Sequence, residues 1–198
     1  VVGDGPLRRE LEAEAQDADR WALESRGGLA GSQRYVRAIF SGGTFAAEAA
    51  MLLREWIGSV HSNGKVKGVS PLPNPRISVA HSVVDLGDDL FTVGRPHPML
   101  EPSVRRERII KEAADPETAV ILLDVVLGYG AHPDPAGELA RFVAEARQLA
   151  SSSGRCLPVV TSVCGVDEDP QNRERQVCQL REAGVLVMPT NVQATALA

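Results

Sequence analysis

The chain has few of the features that mark exported, membrane or disulfide-rich proteins. No apolar stretch reaches the roughly 18 to 20 residues that a membrane-spanning helix needs. The first residues lack a basic flank followed by an apolar core, so the sequence predicts no secretory signal. The three cysteines, an odd number without metal-ligand spacing, are typical of reduced thiols: Cys156, Cys164 and Cys178. We therefore expect a soluble protein of the cytoplasm.

Excess basic charge is also missing. Lysine and arginine together number 21 against 26 aspartates and glutamates, which gives a formal net charge of −5. This balance disfavours a broad basic surface for duplex nucleic acid or anionic membrane. A length of 198 residues with 43% hydrophobic residues is sufficient for the core of one α/β domain. We expect a small-molecule or protein partner.

The longest apolar run predicts a strand that is covered on both faces. Val120–Leu127 is too continuously apolar for a strand with one wet face, and we interpret it as the central strand of a parallel sheet. In such sheets ligands bind beyond the carboxyl ends of the strands. Asp124 lies in this run, and His132 and Asp134 follow it, so these three are candidate catalytic residues.

Apolar strands alternate with amphipathic helices along most of the chain. Strands are predicted at 34–40, 77–86, 120–127, 157–164 and 185–188. Helices are predicted at 44–57, 101–114, 135–151 and 170–183, with a short final helix through Ala198. Short links between them predict a three-layer α/β/α sandwich with a parallel five-stranded sheet and right-handed crossovers.

Two segments lie outside this alternation. Residues 1–33 carry a charged, alanine-rich helical pattern with Leu7, Leu11, Ala15 and Trp21 at roughly helical spacing, broken by glycines. We interpret them as a helical linker from a missing upstream domain. Residues 58–78 contain three prolines and form a loop excursion to which the sequence assigns no role.

A glycine-rich turn precedes the first helix of the domain. Ser41, Gly42, Gly43 and Thr44 would place main-chain N–H groups and the positive end of the helix dipole at one point, which suits a phosphate or a carboxylate. The alternative is a tight turn in which Ser41 or Thr44 only caps the helix.

His97 and the acidic turn at 167–169 each have two interpretations. Pro96 and Pro98 hold His97 in an extended segment near a strand end, where it is a candidate ligand or general acid, or else a hydrogen-bonded structural histidine. The carboxylates at 167–169 would either cap a helix or bind Mg²⁺; the capping role needs no ligand, and no metal site is predicted.

Four segments together resemble a known family. They are S-G-G-T-F from residue 41, D-L-G-D-D-L-F-T-V-G-R-P-H-P-M from residue 85, V-I-L-L-D-V-V-L-G-Y-G-A-H-P-D-P from residue 120 and V-C-G-V-D-E-D-P-Q from residue 163. From Arg34 to Ala198 the chain resembles the C-terminal flavodoxin-like domain of FdrA proteins, relatives of the succinyl-CoA synthetase alpha subunit and other NDP-forming acyl-CoA synthetases. The resemblance implies a flavodoxin-like sheet, an upstream CoA-binding-like domain and a phosphate at residues 41–44.

The sequence departs from the acyl-CoA synthetases at one decisive place. Their turn after the fourth strand carries Gly-His-Ala-Gly, whose histidine transfers the phosphoryl group; the corresponding residues 164–169 here contain no histidine. The glutamate that orients this histidine is likewise replaced, by Asp124-Val125-Val126. The resemblance therefore argues against a phosphohistidine.

Three functions follow from the resemblance. The first is a subunit of a carbamoyl- or acyl-phosphate transferase, as in FdrA-like oxamate carbamoyltransferases, with Arg95 and His97 stabilising or protonating the developing charge. The second is an acyl-CoA synthetase subunit, and the third a non-catalytic assembly domain. No cofactor is assigned to the domain itself; CoA or a nucleotide with Mg²⁺ would belong to the full complex. The expected partners are enzyme subunits, the missing domain or a second copy in a homodimer.

Overall fold

The computed structural model describes residue 18, residues 20–23 and residues 25–198. The strands are β1 (Tyr35–Phe40), β2 (Val60–Ser62), β3 (Ser70–Pro71), β4 (His81–Asp85), β5 (Thr118–Val126), β6 (Val159–Cys164) and β7 (Leu186–Met188). The helices named here are α1 (Gly43–Ile57), α2 (Asp89–Thr92), α3 (Ser103–Ala114), α4 (Pro135–Ser152), α5 (Arg173–Glu182) and α6 (Asn191–Leu197).

The strands form one parallel sheet in the order β3-β2-β4-β1-β5-β6-β7. The five predicted strands are β1, β4, β5, β6 and β7, and their order in space is second, first, third, fourth, fifth. This order is typical of flavodoxin-like folds. It places a topological switch point between β1 and β5. After β1 the chain adds strands on one side of β1, and from β5 onwards it adds them on the other side.

Within the described residues the sheet has seven strands, so the predicted count of five is wrong. Both additional strands, β2 and β3, lie in the segment 58–78 that the sequence presents as a loop. Pro71 is tolerated because β3 is an edge strand, where a missing N–H breaks no ladder bond on its open side. Strands of two and three residues are too short for an alternation pattern to reveal them.

Helices cover both faces, which confirms the three-layer α/β sandwich. On one face α3, α4 and α5 pack through residues such as Ile109, Phe142 and Leu180. On the other face α1 and α6 pack through residues such as Leu53 and Ala194. The small side chains of α1 allow a close approach to the sheet.

β5 is an interior strand with nearly all of its nine residues buried. It pairs with β1 on one side and β6 on the other, so the prediction of a strand covered on both faces is confirmed. It is central among the five predicted strands, whereas β1 is central among the seven. Its carboxyl end is therefore held by neighbours on every side.

The described part of the N-terminal segment packs against the domain. Residues 20–23 and 25–27 are helical, and Ala18 and Trp21 join the apolar cluster beneath α1 and α6. Leu7, Leu11 and Ala15, also assigned to this predicted helix, lie outside the described residues. Within the described residues, no helix combines the length and apolar character needed to cross a bilayer.

His81 at the start of β4 is a half-buried histidine. Its Nδ1 accepts a hydrogen bond from the Val36 N–H at 3.2 Å, and its ring meets the Tyr35 ring edge-on at 5.3 Å between centroids. Burial, and then the nearby Arg37 guanidinium, lower the pKa of His81. The folded protein therefore favours the neutral imidazole.

We expect His81 to make the protein less stable in acid. The unfolded chain binds a proton near pH 6.5 and the folded chain only at lower pH, so acidification below about pH 6.5 favours the unfolded state. Urea unfolding at about pH 7.5 and about pH 5.5 should show a smaller loss of unfolding free energy for His81→Gln than for the wild type. Equal losses in the two proteins would contradict this role.

Candidate functional site

The turn after β1 is attached to β5 through Asp124. The Ser41 N–H donates to both carboxylate oxygens of Asp124, at 3.0 and 3.2 Å, and the Ser41 hydroxyl donates to Oδ2 at 2.8 Å. Both side chains are buried. Because β1 and β5 flank the switch point, this contact fixes the turn where α/β proteins bind ligands.

Arg105 of α3 also donates to the same carboxylate. Its Nη2 donates to Asp124 Oδ1 at 3.1 Å and to the Asp124 carbonyl oxygen at 2.7 Å. Burial lowers the pKa of Arg105, and the charge of Asp124 opposes this effect. Asp124, predicted as catalytic, is 0% exposed and is surrounded by these donors. In this structure the Asp124 side chain holds the turn after β1 in place through these hydrogen bonds.

One nitrogen of Arg105 is left without a partner. Arg105 Nε is buried and has no hydrogen bond among the described residues. Arg105 lines a small cavity together with Ser41, Met99 and His132. Its buried positive charge and its unpaired donor therefore lie directly behind the turn.

The start of α1 has no side-chain cap. Gly42 occupies the N-cap position and Gly43 and Thr44 are exposed, while the Ser41 hydroxyl is bonded to Asp124 instead. Among the described residues, no acceptor is recorded for the N–H groups of Gly43, Thr44 and Phe45. The turn thus presents N–H groups at a helix N-terminus to the solvent, an arrangement that suits an anion.

Asp85, at the end of β4, lies beside this helix N-terminus. A Cβ built on Gly43 would lie 3.0 Å from Asp85 Oδ2, so a side chain at position 43 would displace the carboxylate. Asp85 Oδ1 accepts a hydrogen bond from the Gly87 N–H at 2.8 Å. Burial raises the pKa of Asp85, and the charges of Asp88 and Asp124 also raise it, against the Gly87 hydrogen bond and His97.

His97 also lies against Gly87. A Cβ on Gly87 would be 2.8 Å from His97 Nε2, 2.8 Å from the Ser41 carbonyl oxygen and 3.1 Å from Asp85 Oδ1. His97 Nδ1 accepts from the Met99 N–H at 3.3 Å, which leaves Nε2 to carry the proton of the neutral ring. Gly87 therefore lets three polar atoms from different elements meet beside the turn.

The structure brings His132 to the same edge. The His132 N–H donates to the Met99 carbonyl oxygen at 2.7 Å, which joins the loop after β5 to the segment that carries His97. The buried Gln171 side chain holds this loop from behind, donating to the carbonyl oxygens of Gly128 and His132. His97 and His132 thus lie on adjoining loops at the carboxyl ends of the strands.

Arg95 and Asp134 lie farther out on this edge. Arg95 forms an exposed ion pair with Glu107 at 3.7 Å. Asp134 precedes α4 and accepts from the buried Gln176 side chain at 2.9 Å, with Arg175 at 3.6 Å. Neither side chain has a recorded hydrogen bond to Ser41, Asp85 or His97.

The acidic turn after β6 is braced by its own carboxylates. Asp169 Oδ2 accepts from the Val166 N–H at 2.7 Å, and Asp167 Oδ1 accepts from the Glu174 N–H at 3.0 Å in the first turn of α5. Within the part of the chain that the structure describes, no group of three or more His, Cys, Asp or Glu side chains is arranged to hold a metal ion.

Breaking the cluster beneath the turn should cost stability. Asp124→Ala would leave Arg105 as a buried charge without its counter-ion, which costs about 3–5 kcal/mol when a buried pair loses one partner. Urea denaturation should show this loss, whereas the matched control Asp134→Ala, whose side chain is 42% exposed, should lose far less. Equal losses would mean that Asp124 does not support the fold.

Comparison with known proteins assigns the family. The model of the CoA-ligase family matches residues 39–198. The uncharacterized protein YahF of Escherichia coli (strain K12) is 39% identical over 178 residues, which cover 87% of this chain and 34% of YahF. The chain therefore spans about a third of the length of this relative. Since the family model matches most of its residues, the chain belongs to the CoA-ligase family.

Proposed function

We propose that this domain holds the phosphate group of a carbamoyl or acyl phosphate at the start of α1, as part of a multi-subunit transferase of the FdrA type. The observation that carries the proposal is the uncapped helix N-terminus at Ser41–Thr44, fixed from below by Asp124 and Arg105. Membership of the CoA-ligase family is consistent with chemistry at acyl phosphates. The transferase role is narrower than the family assignment, and it is the role that we propose.

Electrostatics support an anion at this turn. The helix dipole adds about half a positive charge at the first turn of α1, where the N–H groups lack acceptors. The Arg105 guanidinium is paired with Asp124, so the buried pair is close to neutral and does not repel a phosphate. A substrate phosphate would be held by main-chain donors that need no rearrangement, which is the condition for stabilising charge during transfer.

The proposed reaction needs no phosphorylated enzyme. The nucleophile of the second substrate attacks the carbonyl carbon, and the bond from this carbon to the bridging oxygen breaks. Its electron pair leaves with phosphate, and the proton lost by the nucleophile passes to a base such as His97 or His132. The absence of histidine from residues 165–172 supports this direct route.

A partner would complete the site. Among the described residues, four large apolar side chains on the connections around this edge are more than half exposed: Tyr129 at 94%, Val93 at 81%, Val166 at 55% and Leu100 at 51%. An upstream domain or a partner subunit could cover them and exclude water from the reacting groups. The greater length of YahF supports a larger assembly. In the same proposal, residues 1–33 link this domain to an upstream one.

The second candidate is an acyl-CoA synthetase subunit, which the family match favours. CoA, and a nucleotide with Mg²⁺, would then be bound by the rest of the complex. The two candidates differ in covalent chemistry, because a synthetase of this superfamily passes its phosphoryl group through a histidine.

We expect no phosphohistidine. The complete complex, incubated with labelled ATP or acyl phosphate, should retain no acid-labile phosphate on this chain, because the turn after β6 offers no histidine. Instead, phosphate release should depend on the second substrate and on the partners. Mass spectrometry that finds phosphate on His97 or His132 would favour the synthetase; no turnover with all partners present would favour an assembly domain.

Phosphate should bind at the start of α1. Gly43→Val would place a side chain against Asp85 and the anion, and should abolish binding while thermal unfolding stays cooperative. The matched control is Gly130→Ala at the same edge, where a Cβ meets nothing within 4 Å. In an NMR titration with phosphate, the amides of residues 42–45 should move most in the wild type and the control. Uniform shifts throughout the chain would refute the site.

Side chains at this edge should control turnover. Arg95→Ala, His97→Ala and His132→Ala should each lower turnover of the assembled complex at least tenfold, equal to roughly 1.4 kcal/mol of barrier, with little change in thermal stability. Glu117→Gln serves as the control, since Glu117 precedes β5 at the opposite end and pairs with Arg34. Similar losses in all four variants would contradict a shared catalytic edge.

A further inference from the structure

We propose that Asp85 and His97 form a proton-binding pair, which takes up one proton when a dianion binds at the start of α1. The proposal rests on the function proposed above and adds a residue, Asp85, to its site. It also names the ligand class: dianions such as phosphate monoesters and acyl phosphates.

The geometry places a carboxylate where the ligand would bind. Asp85 Oδ2 lies against Gly43 and has no recorded hydrogen bond among the described residues. An anion on the first N–H groups of α1 would therefore have a second negative group as its neighbour. Two negative charges at such close range are not both tolerated, and a proton on one of them relieves the repulsion.

The groups around Asp85 favour this outcome. Asp88, at the N-cap of α2, and Asp124, in β5, both add negative charge near Asp85. Arg105 of α3 is already paired with Asp124, so it does not offset Asp85 in the same way. His97 is the remaining charge partner recorded for Asp85, and His97 Nε2 and Asp85 Oδ1 lie 2.8 and 3.1 Å from the same point, the position of a Cβ built on Gly87. A proton taken up here therefore belongs to the pair as a unit.

The arrangement would select dianions by charge. A dianion offers enough negative charge to hold the added proton on Asp85 or His97, while a monoanion such as nitrate offers less. Affinity for dianions should then fall as pH rises, since the proton becomes harder to acquire.

Isothermal titration calorimetry with sulfate tests the proposal, because sulfate keeps its charge of −2 across the working pH range. Titrations near neutral pH in two buffers of different ionisation enthalpy count the protons taken up. We expect the wild type to take up about one proton per sulfate bound and Asp85→Asn to take up less than half of that. The variant should also bind sulfate at least threefold more tightly at about pH 8, where its lost charge no longer repels the ligand. Asp88→Asn, which retains a side-chain oxygen to cap α2, should behave like the wild type in proton count.

The possible results separate the two proposals. Sulfate binding at residues 42–45 without proton uptake, or with equal uptake in the wild type and Asp85→Asn, would overturn the proton-binding pair and leave the anion site standing. Lack of sulfate binding in both proteins at every pH would overturn the anion site and the pair together. Binding by Asp85→Asn alone at alkaline pH would support the pair, since it shows that the Asp85 charge excludes the ligand.

Discussion

The buried contact between Ser41, Asp124 and Arg105 is the constraint on which the candidate site depends. It joins the turn after β1, the interior strand β5 and the helix α3, three elements that are far apart in sequence. The N-cap residue, Gly42, has no side chain, and the Ser41 hydroxyl is engaged with Asp124, so neither residue caps α1 and the described residues supply no recorded acceptor for the first N–H groups of that helix. The same contact thus attaches the turn to β5 and leaves the N–H groups of the proposed anion site without a side-chain cap.

The sequence predicted the long elements and the short strand β7, but it missed the short elements β2, β3 and α2. β1, β5 and β6 are rich in apolar and β-branched residues, and their alternation with amphipathic helices predicts a sheet with helices on both faces. β2, β3 and α2 have two to four residues each, so no periodicity could identify them. Their formation depends on neighbours, as with the paired hydrogen bonds between Asn63 and the main chain of Asp85.

The sequence predicts the position of a site residue when the sheet topology determines it, but not when side-chain burial determines it. His97 and His132 follow strands, and the rule that parallel strands end at one edge places them together. Arg105 reads in the sequence as one of several charges on a helix surface, yet it is buried. Asp85 belongs to the family-like segment from residue 85, and its position at a strand end was a usable signal. Its closeness to Gly43 and Gly87, however, follows from packing that no local pattern encodes.

Two carboxylates at this edge, Asp124 and Asp85, have opposite surroundings. Asp124 is enclosed by the Ser41 main chain and hydroxyl and by Arg105, so its charge is fully compensated and inaccessible. Asp85 has one recorded donor to its side chain, the Gly87 N–H, and burial raises its pKa. A pair of acidic groups whose environments differ in this way commonly divides into one structural or charged member and one member that exchanges protons. Asp124, in the apolar strand β5, is therefore suited to a structural role. Asp85, at the end of β4 on the far side of β1, is the carboxylate that we propose for proton exchange.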